Sequence, residues 1–563
     1  MRDRRASGLW PSWKLVTSGD RALTEGLANM KFDALDWTIL VAFLAGNLVL
    51  GYIVGGKVST AREFNIGNGR TPWWAIGLSV IATYISALSF LGAPAWAYQD
   101  GLAALAIHLN YPIVILLVTS FFLPFFYASG VASIYDYQER RFGPTSRAVM
   151  STIFLVTQGL STGAILYATA LVLQFITGIS VPAGIVLITL MALIYTTMGG
   201  MLAVIWTDVF QAVVLFGGAI VIMVALIVAM PVPILEVLAN LKSLGRLNAM
   251  NPVPDITVST TIWSGLIGMT LFHITVYGAN QMMVQRTLGA ATIGEAKKAY
   301  LLMGYAAFPI YFLFFFIGVL AYGYYGGKPF ANNNEIILQF AADSGVPGLL
   351  GILAAAVLAA SMSTLSSAFN SMATASVVDF YQRYFKRDES DAHYLLATRW
   401  ATVFWAVLII FPAILYTRSD GSILEVISKI GSYFVGAKLG MYALGFFSKH
   451  TTERGLMVGV VAGFAIIWYV ATQTRIAWPW FCLIGGAITT IVGWSMSRVL
   501  DGKQAEWSAY SIPGQRARFA NEGRATTQGK WNTVPGEIDK QAWWLVVYLA
   551  VTLLLLVLLE ALV

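Results

Sequence analysis

Trp73-Trp74-Ala-Ile-Gly-Leu-Ser-Val-Ile-Ala82-Thr83-Tyr84-Ile85-Ser86-Ala87-Leu88-Ser89-Phe90-Leu-Gly92-Ala-Pro94 is the stretch whose reading decides the fold. It lies inside a run of 29 residues without a charged side chain, between Arg70 and Asp100. A helix crossing a hydrocarbon core about 30 Å thick needs about 20 mostly apolar residues, so the run can span a bilayer. Yet hydroxyls cluster at its centre, and Gly92 and Pro94 follow. Either the helix stays whole, with Ser and Thr bonded back to their own backbone, or it breaks and frees carbonyls to line a cavity. The residues alone leave both open.

Working outward, the same signature recurs. There are 20 uncharged residues between Asp36 and Lys57, 35 between Asp100 and Asp136, and 60 between Arg147 and Asp208. The last run is long enough for two passes broken at Gly178-Ile-Ser-Val-Pro182. Further runs cover 209–235, 256–285, 299–327, 344–378, 400–417, 455–474, 476–497 and 541–559, and a segment at 422–447 is interrupted by Glu425, Lys429 and Lys438. Together they predict an all-α polytopic membrane protein with about fourteen transmembrane helices. Composition agrees: of 563 residues 58% are hydrophobic and 11% charged, against about 25% charged in a soluble chain. Soluble enzymes, secreted disulfide scaffolds and disordered chains are excluded, and the long continuous runs exclude an outer-membrane barrel. The single Cys482 cannot form an internal disulfide.

Basic residues orient the spans. With the first span starting outside, alternate loops hold twenty-two Lys and Arg and the opposite loops five, namely Lys242, Arg246, Lys328, Arg418 and Arg475. The positive-inside rule then puts both termini on the outer side of the cell inner (plasma) membrane. The net charge of +7 is mostly this bias and not a nucleic-acid footprint. Residues 1–34 read as a polar extracytoplasmic extension, with Met30 an alternative start, and 498–542 as a cytoplasmic linker before a last helix.

Polar residues deep in spans are functional candidates. In Ala360-Ser361-Met-Ser363-Thr364-Leu-Ser366-Ser367-Ala-Phe-Asn370-Ser371, positions 360, 364, 367 and 371 form one helical stripe. Small residues of this kind make a packing seam, while neutral hydroxyls and carbonyls also suit a hard monovalent cation. Both readings stand. In Trp206-Thr207-Asp208-Val-Phe-Gln211, Asp208 is either a carboxylate favoured by a helix N-terminus or a negative charge at the cytoplasmic mouth of a cation path.

These segments, in this order, resemble the sodium:solute symporter family, which includes sodium/glucose, sialic acid, iodide and multivitamin symporters. The matching stretches are Ala61-Arg-Glu-Phe-Asn-Ile-Gly-Asn-Gly-Arg-Thr-Pro-Trp-Trp74, Tyr195-Thr-Thr-Met-Gly199-Gly200-Met-Leu-Ala-Val-Ile-Trp-Thr207-Asp208, Asn280-Gln-Met-Met-Val-Gln285-Arg286 and Ser361 to Tyr381. The resemblance implies a LeuT-type fold with two inverted five-helix repeats at 73–230 and 260–447, each opening with a broken helix. Around these it implies a first peripheral helix at 35–56, two more within 455–497 and a last one at 541–563. It implies a main sodium (Na+) site from the carbonyls of Ala82, Ile85 and Ala360 and the hydroxyls of Ser363 and Thr364. A second site, present in some relatives, would fall on Asp208, Ser366 and Ser367, with or without Thr364.

The solute pocket transfers poorly. Positions that hold Gln, Glu, Asn, Tyr, Lys and Gln in sugar-transporting relatives correspond here to Ser89, His108, His273, Val276, Ala307 and Ser428, and the Arg of sialic acid relatives corresponds to Ser161. Tyr84 and Ser86 at the break and Lys438, where relatives usually have Pro, complete the candidate solute contacts. Each histidine reads equally as a hydrogen-bonded core residue, and Lys438 as a snorkelling side chain. The resemblance implies sodium-driven import of a small organic solute by alternating access, with a sugar or polyol favoured and a small carboxylate or vitamin as the alternative. A sensor on the same fold is a weaker reading, because no signalling domain follows residue 498. Catalytic motifs such as H-E-x-x-H or a P-loop are absent. Expected partners are the solute, sodium and the lipid bilayer, with no nucleic acid and no obligatory protein partner.

Overall fold

A computed structural model describes residues 32–562 except 57, 130–132, 331, 417–422 and 503–505, and of 129, 423–430 and 562 it describes the backbone alone. Most of the expected extension, Met30 included, therefore lies outside the described residues. Helix α1 (Ala34–Gly55) starts where a capping box forms: the Asp36 N–H donates to Asp33 Oδ1 at 2.8 Å and the Asp33 N–H returns to Asp36 Oδ2 at 3.1 Å. The run foreseen as a double pass breaks within the expected Gly178–Pro182 stretch. Helix α4 (Pro144–Thr177) stops at Gly178 in the left-handed region (φ 75°), and α5 (Val181–Val228) restarts with a proline in its first turn. At 48 residues, α5 is about 72 Å long, more than twice a hydrocarbon core. It kinks at Gly200 (φ 51°, ψ −142°), where a Cβ would strike the carbonyl of Phe64.

The stretch at 73–94 does break, into α2 (Trp73–Tyr84) and α3 (Ala87–Asp100), with Ile85 and Ser86 extended between them. Pro94 is not the cause: it sits inside α3, and Gly318 of α8 (Ile293–Tyr325) leaves room for its carbonyl. A second discontinuity separates α6 (Met269–Gly278) from α7 (Gln281–Leu288), where Asn280 is extended and its side chain caps the Met282 N–H at 2.9 Å. At the centre runs α9 (Leu349–Ala375), whose residues from Leu353 to Ala375 are all buried. Gly218 of α5 faces Ala356 across it, so small residues set the approach. Outward-facing helices instead expose apolar side chains: Trp400, Phe404, Val407 and Phe411 on α10 (Asp391–Tyr416), and Leu554 and Leu555 on the helix Lys540–Leu562. Such bands belong against lipid. Helix α11 is Ile423–Phe447, followed by α12 (Glu453–Gln473) and α13 (Phe481–Asp501), and Lys540–Leu562 is α14.

Ten helices among the described residues are long and apolar enough to cross a membrane, fewer than the fourteen expected. The difference falls on α5, counted once across its kink, on the broken pieces α2 and α6–α7, and on α11, which is only partly described. Segment 498–542 carries structure of its own: a helix Ile512–Asn521, a two-residue hairpin pairing Thr527 with Asn532, and an anchor in which Lys297 Nζ meets Asp539 Oδ2 at 2.5 Å. Several basic residues counted as loop charges are not on loops' surfaces. Arg141, Arg147, Arg286 and Lys297 are buried, because each has carbonyl or carboxylate partners to replace water.

Candidate sodium and solute site

The break in α2–α3 interrupts the helical hydrogen-bond ladder. Ile85 N still donates to Ile81 O at 3.1 Å, but extended Ile85 and Ser86 release the carbonyls just before them. Helix α9 lies against this opening. Thr364 Oγ1 donates within 3.0 Å of Thr83 O and 3.2 Å of Ala360 O, so one hydroxyl joins a carbonyl of the broken helix to a carbonyl of α9. Ser363 Oγ is buried and makes no hydrogen bond of ordinary length and angle, although its side chain also interacts with the Asp208 carboxylate. A buried hydroxyl left unmatched normally costs about 1–3 kcal/mol, and an ion taking its lone pair removes that penalty. Five neutral oxygens drawn from Ala82, Ile85, Ala360, Ser363 and Thr364 fit a monovalent hard cation. Among the described residues no three His, Cys, Asp or Glu gather to hold a softer or divalent metal.

Asp208 lies deeper than a mouth position. It is fully buried, and its Oδ2 accepts from Ser79 Oγ at 2.6 Å and Thr83 Oγ1 at 3.2 Å. Arg286 Nη1 stands 3.3 Å from the same oxygen and donates to Ser79 O at 2.8 Å and to Thr83 Oγ1. Ser367 Oγ reaches the cluster through Thr83 Oγ1 at 3.0 Å, whereas Ser366 Oγ donates to Ser363 O in its own helix at 3.1 Å. Of the residues foreseen for a second ion, Asp208 and Ser367 thus meet around Thr83, beside a resident guanidinium. Asp208 Oδ1 remains without a hydrogen bond. Arg286, Ser79 and Thr83 had been assigned no role. Arg286 was legible in one respect, as the cation that ends an apolar run, directly after Gln285.

A cavity of about 280 Å³ adjoins the break. Tyr84, Ser86, Ser89, His108, Ser161, His273, Val276 and Lys438 all line it, together with Thr83 and Thr364. Ala307 is buried elsewhere, and the side chain of Ser428 lies outside the described residues. His273 uses both ring nitrogens internally. Asn110 Nδ2 donates to Ile107 O and Gly265 O, both at 2.9 Å, which turns its Oδ1 to the ring; Nδ1–H therefore donates to it at 2.7 Å, and Nε2 accepts from Tyr84 OH at 2.9 Å. His108 lies flat on Tyr311, centroids 3.6 Å apart, with Nδ1 3.3 Å from Tyr111 OH. Asn110, Tyr111 and Tyr311 went unseen in the sequence, because amides and aromatics in apolar runs look like filler.

The family model that matches this chain is the sodium:solute symporter family, over residues 64–463. The chain belongs to that family. It is 29% identical over 459 residues to human sodium-coupled monocarboxylate transporter 1, covering 80% of this chain and 75% of that protein. It is 28% identical over 468 residues to the sodium/sialic acid symporter NanT of Aliivibrio fischeri, covering 82% and 93%. Among solved structures, a substrate-bound, outward-open Na+-coupled sialic acid symporter superposes with a TM-score of 0.78 at 27% identity, covering 84% of this chain and 100% of that one. A nucleobase-cation-symport transporter in a closed conformation, at 14% identity and a TM-score of 0.53, shares the fold. The fold is of the LeuT type, and this member of the family is a multi-pass, sodium-coupled symporter of small solutes.

Proposed function

We propose that the chain imports a small organic solute across the inner (plasma) membrane, with sodium bound at the break and both termini outside. The observation that carries this reading is the Thr364 hydroxyl, which joins a carbonyl of the broken helix to one of α9. Sodium there holds α9 against α2–α3 and completes the adjoining cavity; rocking of the two inverted repeats, 73–230 and 260–447, then exposes both cargoes inward. The excess of basic residues on one set of loops supports the orientation. A second sodium at Asp208 would have to use Oδ1, because Arg286 already faces Oδ2.

For the solute, a sugar or polyol would need a ring of amides and carboxylates, and the described residues of the lining include no Asp or Glu. Lys438 in that lining favours the small carboxylate instead, the class that the name of the human monocarboxylate relative prints. The purified chain in liposomes tests the coupling: uptake driven by an inward sodium gradient and abolished by equimolar potassium is expected. Equal uptake in potassium overturns it.

A further inference from the structure

Lys438 is 4% exposed, lines the cavity, and makes no hydrogen bond or ion pair with any described residue. Its nearest recorded neighbour of interest is the Phe154 ring, 5.9 Å from Nζ, at the outer limit of a cation–π contact. An ammonium taken out of water without a partner is strongly unfavourable. A capping lysine would donate to a carbonyl, and this one does not; what little of it is exposed faces the cavity. Every other buried cation described above has its acceptor inside the chain.

We infer that Lys438 is the anion-binding residue of the cavity and that the solute is a small organic monocarboxylate whose carboxylate group pairs with it. The inference rests on the reading of this cavity as the solute site. A carboxylate has two oxygens to satisfy, and neutral donors are at hand in the same lining. Gln158 Nε2 donates one N–H to Thr162 Oγ1 at 3.0 Å and keeps the other, and the Ser161 hydroxyl makes no hydrogen bond with a described residue. Phe272, Val276, Met283 and Phe434 give the cavity an apolar wall for the body of the solute. With no second Lys or Arg among the described lining residues, a dicarboxylate would bury an uncompensated charge there. A neutral polyol would leave the ammonium unpaired and set hydroxyls against that wall.

The test is thermal unfolding of the purified full chain in sodium or potassium buffer. The probes are acetate, lactate, pyruvate, butyrate and benzoate, with acetamide, lactamide, butyramide, benzamide, succinate, glucose and mannitol as comparators. At least one monocarboxylate is expected to stabilise, its amide and succinate not. In Lys438→Met the same probe should bind at least about 30-fold more weakly. The unliganded variant should also melt higher than the parent, since an unpaired buried charge is gone, and should keep its sodium response. Lys438→Arg should retain part of the binding. Stabilisation by glucose or mannitol that survives Lys438→Met, silence of every monocarboxylate, or a Lys438→Met protein that melts lower than the parent overturns the inference. Monocarboxylate binding that needs Lys438 but ignores sodium would leave the inference standing and defeat the symport reading instead.

Discussion

In Ser376–Phe385, the helical segment that continues α9, the buried Asp379 is answered by described partners. Arg147 Nε meets Asp379 Oδ1 at 2.8 Å, its Nη1 meets Asp136 and Glu139, both at 2.9 Å, and Ser133 and Ser151 each donate to Asp379 Oδ2 at 2.8 Å. Ten to twenty residues further back along the same helix, the cavity and sodium site are built from neutral oxygens and one unanswered lysine. The first region is closed chemistry and the second is open. Low dielectric makes both choices expensive to undo, so buried pairs hold elements together while unmatched groups mark where something from outside belongs.

The largest effect should come from breaking a closed pair. Asp379→Ala strands the Arg147 guanidinium, and Arg286→Met strands Asp208; removing one partner of a buried pair typically costs about 3–5 kcal/mol. Both variants should lose most folded, monodisperse protein in size-exclusion chromatography, with Tm lowered sharply. If Asp379→Ala instead behaves like the parent, that end is not closed by charge and the contrast fails. Next in size is the open region. Thr364→Ala removes one hydroxyl ligand, a loss of about 1–3 kcal/mol, or roughly 5- to 150-fold in the sodium concentration for half-maximal uptake, with expression and Tm little changed. An unaltered sodium curve would sink the ion site.

The sequence made the open region more legible than the closed one, and the reason is physical. Hydroxyls in a run without charges are rare enough to stand out, so Ser363, Thr364 and the stretch around Ser86 are singled out in the sequence, while the choice between break and intact helix, or ion site and seam, stays open there. The stripe at 360, 364, 367 and 371 divides in the structure: Thr364 and Ser367 reach across to Thr83, but Ser371 Oγ bonds back to Ser367 O at 2.7 Å. Contact across to the broken helix and bonding within α9 are both present, on successive turns. Arg147, Arg286 and Lys297 were misread as loop charges, because a cation bounding an apolar run looks the same in sequence whether it meets water or a buried carboxylate. Only tertiary contact decides, and the partners are far away: Asp379 is 232 residues from Arg147. His273 was ambiguous for the same reason, and Asn110, which fixes its ring, lies 163 residues away. Asn110→Ala should therefore lower Tm by the equivalent of about 1–3 kcal/mol and leave sodium dependence intact; a changed sodium requirement would mean that the ring serves the ion and not the cavity wall.

The smallest effect tests the same comparison from the opposite side. Lys386 and Glu389 pair at 3.0 Å at the Asp379 end, but in solvent, with side chains 53% and 34% exposed. The Lys386 hydrogen bond and charge hold the Glu389 carboxyl below its ordinary value. A depressed carboxyl adds stability above its unfolded value and loses it as pH falls through the folded one, so any contribution is full at neutral pH and disappears in acid. Water and salt screen such a pair almost completely. Glu389→Gln should leave Tm and uptake at neutral pH indistinguishable from the parent, at low and high salt alike. Two pairs of the same charge type at one end of the molecule would then differ in effect solely by burial. A fall in Tm for Glu389→Gln comparable to that of Asp379→Ala would mean that proximity to this end, and not exclusion from water, gives its ion pairs their weight.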